Sequence, residues 1–159
     1  MSTQDKSKLR LLGQLFGALG VIASLAFVAL EIRQNTEAVK SATINALSEQ
    51  GYNAAALFIQ DDDLTEAFRV IREGEEVSAL QHSKVNVFYA TVLRIQKNRF
   101  LQIRLGFLDV ETALFIGGSS QLYREPHFAE YWDEVKGDEP EDFVEYMEIH
   151  VMQRTGGSE

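Results

Sequence analysis

The 159 residues carry 24 acidic and 15 basic side chains, a net charge of −9, two prolines and no cysteine. That length allows one domain of ordinary size beside any membrane segment, and the missing cysteine excludes disulfides, thiolate nucleophiles and Cys-ligated zinc. Residues 125–148 hold ten carboxylates against Lys136 alone, a balance that speaks against binding a phosphate backbone, so no nucleic-acid partner is expected.

Abundant Ala, Leu, Glu and Gln, with no alternating Val/Thr/Tyr run, predict an all-α chain. The expected architecture is a single N-terminal transmembrane helix continuing into a small antiparallel helical bundle. Residues 1–10 read as a short polar tail. From residue 11 to residue 30 there is no charge, and Gln14 and Ser24 are the only strongly polar side chains. Extending this run to Ile32 gives residues 11–32, about 33 Å of helix, which matches a bilayer core of about 30 Å. Its apolar residues run round the whole circumference instead of forming one stripe, as lipid contact requires. Lys6, Lys8 and Arg10 resemble the positive region of a signal peptide, but the apolar run is too long and no small-x-small cleavage site follows it. An uncleaved anchor is the expectation, with the lipid bilayer as partner. Gly13, Gly17, Gly20 and Ser24 form a small-residue stripe inside it, the pattern that lets two helices approach closely; homo-oligomerisation through this face follows as an expectation.

The helical register of Ile32, Val39 and Leu47 carries past the span toward Phe58, with Gly51 as a candidate bend. Residues 33–152 make the helical domain, and 153–159 a disordered tail. Asp63 with Glu66 reads as a capping box for a short helix that Gly74 ends. Ser78 caps the longest helix of the domain, which runs to Leu105 before Gly106 and carries Lys84, Arg94, Lys97, Arg99 and Arg104 as its only charges. Arg94 and Asn98 share a face and require partners where they are buried. Asp109 caps a fourth helix to about Ile116, and Gly117, Gly118, Ser119 and Ser120 form a turn. Pro126 opens a fifth with Phe128, Tyr131, Trp132 and Val135 on one stripe; Pro140 opens a sixth with Phe143, Tyr146, Met147 and His150. Both stripes are expected to dock on the basic third helix, their acidic outer faces near Arg94, Lys97, Arg99 and Arg104.

Several stretches carry a likeness: the span ending LEIRQNT, the helix DLTEAFRVIREG, the helix end KNRFLQIRLGFLD, then EPHFAEYWDEVKG and DFVEYM. Over residues 9–151 the chain resembles an uncharacterised group of short bacterial membrane proteins with one N-terminal span and a helical domain. It departs from them at Lys97-Asn98, where they often carry Glu-Asn. The resemblance implies a membrane-tethered helical domain in the bacterial inner (cytoplasmic) membrane and implies no activity. On orientation, Lys6, Lys8 and Arg10 outnumber Arg33 and Lys40 and place the N-terminus inside; the positive excess after the span in the similar proteins implies a cytoplasmic domain instead.

The search for chemistry finds no nucleophile elbow, phosphate-binding loop or dinucleotide fingerprint. His82, His127 and His150 lack HxxE or HExxH neighbours, and His82 and His127 read as exposed, so no metal ligand is assigned. No catalytic residue and no cofactor is assigned either. Arg94, Asn98 and Arg99 are the candidates for a small-anion site or an interior polar network. The expected role is protein interaction or oligomerisation with an unidentified protein partner; the alternative is a membrane-anchored sensor or binding domain for a small anionic ligand.

Overall fold

The structure, a computed structural model, describes residues 3–117 and 121–153, and side chains from residue 13 onward. It is all-α: a long N-terminal helix followed by a helical domain. The helices are α1 (Thr3–Gln60), α2 (Asp62–Glu73), α3 (Ala79–Arg104), α4 (Val110–Phe115), α5 (Pro126–Val135) and α6 (Glu141–Tyr146). Short 3₁₀ turns cover Gln121–Arg124 and Lys136–Asp138, and a π-helical turn covers Met147–Val151. By contacts the chain divides into two compact units, Met1–Ser41 and Ala42–Glu159.

In the first unit helix begins at Thr3, so the expected polar tail is helical from its third residue. Every residue from 13 to 39 is exposed, including Phe16 at 72% and Phe27 at 67%. An 18-residue stretch within Gly13–Gln60 reaches a mean hydropathy of 2.2 with none of it buried, long and apolar enough to cross a membrane.

The second unit opens with the remainder of α1, which stays helical through Gly51 to Gln60. The cap of α2 differs from the sequence expectation. Asp61, not Asp63, accepts from the Leu64 amide at 3.0 Å. Lys84 explains the choice, since its Nζ bridges Asp61 at 3.0 Å and Asp63 at 2.7 Å and holds the acidic turn onto α3. Hydrogen bonds from Lys84 and the Leu64 amide hold the Asp61 carboxyl below its ordinary value. Gly74 ends α2 at φ +71°, a left-handed conformation that glycine adopts without strain. Ser78 and Gln81 form the reciprocal capping box of α3. Asp109 caps α4 through the Thr112 amide at 2.7 Å.

Helix α3 is central. Val85, Tyr89, Val92, Leu93, Gln96 and Arg99 are buried along it. Around it rings meet edge to face, Phe68 with Tyr89 at 5.7 Å, Tyr89 with Phe128 at 5.2 Å, and Trp132 with Phe143 at 6.1 Å. The Trp132 indole is fully buried and its N–H donates to Glu148 at 3.2 Å. Lys136 reaches the same carboxylate at 3.1 Å. The expected charge complementarity forms at two points, Lys97 with Glu139 at 2.5 Å and Arg104 with Asp142 at 3.1 Å. The sixth stripe ends differently from its sequence reading. The π turn, closed by Met152 N–H donating to the Met147 carbonyl at 2.8 Å, adds a residue to the repeat. Val151 is therefore buried and His150 exposed.

Candidate functional site

The three polar residues singled out on α3 separate in space. Arg94 is exposed, Asn98 half-buried and Arg99 buried at 1% exposure. One helical step of about 100° turns Arg99 away from the face that Arg94 and Asn98 share. They belong to two hollows on opposite sides of the α1 segment that packs on α3.

The first hollow, about 380 Å³, is lined by Gln50, Asn53 and Leu57 of α1 and by Thr91, Arg94 and Asn98 of α3. Asn98 donates to the Gln50 side-chain carbonyl at 3.1 Å and accepts from Gln102 at 3.4 Å. Arg94 has no ion pair among the described residues, so its charge is available to solvent or to a solute.

The second hollow, about 480 Å³, lies between Ser48, Gly51, Tyr52 and Ala55 of α1 and the end of α4 at Phe115 and Gly117. Arg99 forms part of its wall and is the only charged side chain lining it among the described residues. Its Nη1 donates to the Gly117 carbonyl at 3.0 Å and its Nη2 to the Ile116 carbonyl at 3.1 Å. These are the oxygens that a helix end leaves without intrahelical partners, and a cation there is also favoured by the helix dipole. Two glycines make room. A Cβ on Gly117 would stand 3.0 Å from Nη2, and Gly117 has φ +118°; a Cβ on Gly51 would stand 3.5 Å from the same nitrogen.

No carboxylate lies within ion-pair distance of Arg99 among the described residues, and its Nε is buried without a hydrogen-bond partner. Carbonyl dipoles offset only part of the desolvation of such a charge. Burial accordingly pulls the guanidinium below its ordinary value, with Tyr123 and Tyr146 acting the other way. The Tyr123 hydroxyl is raised by its own burial and hydrogen-bonds with Gln96 and Arg99. Tyr146, whose hydroxyl is buried without a partner, is pushed up to about 12. Arg99 is thus a buried cation in a setting of neutral groups.

A third hollow, about 580 Å³, has Phe58, Phe68, Phe88 and Leu122 in its walls, with Arg72 and Glu125 paired at 3.3 Å. His82 and His127, 45 positions apart in sequence, meet with ring centroids 6.1 Å apart. His82 is exposed as expected; His127 is half-buried, its Nδ1 3.2 Å from Glu130. Among the described residues no three His, Asp or Glu side chains converge as metal ligands would. In the apolar segment, a Cβ on Gly13, Gly17 or Gly20 would meet nothing within 4 Å, and Ser24 returns its hydroxyl to the Gly20 carbonyl at 2.8 Å. The turn residues Gly118, Ser119 and Ser120, like the tail beyond Gln153, lie outside the described residues.

Sequence reasoning selected Arg99 but missed what surrounds it. Carbonyl oxygens of Ile116 and Gly117 carry no side-chain signature. Gly51 did leave a signal, because a glycine inside a helix costs about 1 kcal/mol against alanine and calls for a packing reason. Comparison of the chain with protein-family models, with curated proteins and with solved structures finds no match in any of the three.

Proposed function

We propose that the protein is a single-pass protein of the bacterial inner membrane whose helical domain serves protein interaction or oligomerisation. The observation that carries this reading is the fully exposed apolar circumference of residues 13–32. Each large apolar side chain left in water forfeits about 1.5–3 kcal/mol of burial. Ten of them round one helix need a hydrocarbon surrounding, not a single packing partner. The open small-residue face of Gly13, Gly17, Gly20 and Ser24 supports self-association within that surrounding. The bacterial inner membrane comes from the resemblance to short bacterial membrane proteins. The domain adds partner surface of its own: Tyr52 at 76%, Ile59 at 74% and Phe115 at 89% exposure.

Membrane extraction with a reporter fused after Glu159 tests the tether. Retention after alkaline carbonate is expected, and reporter activity on one side fixes the orientation that the flanking charges leave divided. Release by carbonate would overturn the tether. Cross-linking in detergent tests the self-association: Gly17→Ile is expected to abolish a cross-linked dimer, and an unchanged dimer would remove the glycine face from the reading.

One observation favours a second reading, a membrane-anchored binding domain for a small anionic ligand. Arg94 and Arg99 both line hollows, and neither has a carboxylate partner among the described residues.

A further inference from the structure

The geometry points to the hollow beside Arg99 as a binding site for a monocarboxylate with a small apolar body, its head directed at the guanidinium through the gap left by Gly51 and Gly117. This rests on the second reading above and narrows it to one site and one ligand chemistry.

Four features select that chemistry. Arg99 contributes a single positive charge, and no other cationic side chain among the described residues lines the hollow, so one negative charge balances it and a dianion would remain half compensated. The guanidinium is buried; its Nε donor is unpartnered, Nη1 and Nη2 each make one carbonyl bond, and the Tyr123 hydroxyl takes a further bond; a planar carboxylate matches the donors that remain. A volume of about 480 Å³ lies in the range of small-molecule sites. Its flanks are Tyr52 and Phe115, two rings that stand 76% and 89% exposed, beside Ala55 and Ile116. An apolar ligand body seated there would cover rings that otherwise face water. Gly51 is the key to access. It lines the hollow with Arg99, and a Cβ there would stand 3.5 Å from Nη2, so a longer side chain would fill the space beside the charge.

The test uses the full chain in lipid nanodiscs with benzoate and octanoate as probes, and benzamide, octanamide and inorganic phosphate beside them. Both carboxylates are expected to raise the domain Tm by about 5 °C near saturation and to shift the Arg99 Nε–H resonance, while the neutral amides and phosphate do neither. Arg99→Met risks the fold itself, so the decisive variants lie elsewhere. Gly51→Leu fills the gap and leaves the charge in place; it is expected to weaken carboxylate binding at least tenfold. Gly51→Ala, whose methyl stands at ordinary contact distance from Nη2, is expected to weaken it by a smaller factor. Arg94→Ala is expected to leave binding unchanged. Binding kept in Gly51→Leu but lost in Arg94→Ala would overturn the Arg99 site while sustaining an anion-binding domain. No response to the carboxylates or to phosphate would overturn both. Amides or phosphate as effective as the carboxylates would overturn the monocarboxylate chemistry.

Discussion

Residues 13–39 and the domain that begins at Ala42 spend the same apolar side chains in opposite ways. In the first, Phe16, Ile22, Leu25 and Phe27 all stand more than 60% exposed. In the second, Phe68, Phe128, Trp132 and Phe143 stand at 2% or less. Hydrophobicity alone therefore does not say which way a residue faces; its angular distribution round the helix does. α2 confines Leu64, Ala67 and Phe68 to one side, opposite Glu66, Arg69 and Glu73, which pair with one another. The α1 segment before Glu31 has no polar side to turn outward.

The contrast can be broken from either end. The largest effect is expected from Trp132→Ala, which removes a fully buried indole and its hydrogen bond to Glu148; about 3–5 kcal/mol of domain stability should be lost in chemical denaturation, with membrane retention unchanged. Ile22→Asp is the mirror experiment. At 62% exposure this change would be nearly silent on a water-facing helix, whereas near the middle of a span it should cost about 3 kcal/mol of insertion and empty the membrane fraction. The denaturation midpoint of the domain should not move; an unaffected membrane fraction would return the segment to water.

Much of this contrast was legible in the sequence. The long apolar helix was readable because no charge interrupts residues 11–30, and the caps Ser78 and Asp109 because a single polar residue stands before each helix. Three consecutive aspartates gave no such choice, and Lys84, 21 positions beyond Asp63, decided among them. The turn that buries Tyr123 is too short to show a period, and the π turn moved the final stripe from His150 to Val151 by a rule the amino acids do not announce. The Arg99 cradle was half visible for a related reason: its cation was plain, its acceptors were backbone.

Smaller effects sharpen the domain half of the comparison. Ser78→Ala should cost about 1 kcal/mol by removing one arm of the α3 capping box, measured as a lowered denaturation midpoint with an unchanged slope. The smallest change at neutral pH is expected for Tyr146→Phe, because the deleted hydroxyl is buried without a partner. High pH separates the two proteins. With a folded pKa of about 12 against an ordinary value of 10.0, burial of the neutral phenol contributes stability that is fully present below pH 10 and lost as the pH rises toward 12. The phenylalanine variant lacks that loss, so its stability should fall less steeply between pH 10 and 12; identical profiles would assign the alkaline limb to other groups.

The two bonds from Arg99 to the end of α4 also bear on how the domain opens. A helix of six residues does not hold itself together in water. Fraying α4 would release the carbonyls of Ile116 and Gly117 and leave a buried guanidinium with less to hold, so its opening is tied to that of α3. In amide hydrogen exchange the protected amides of α4 should consequently exchange together with the middle of α3 as one cooperative unit, and not with the fast kinetics of a surface turn.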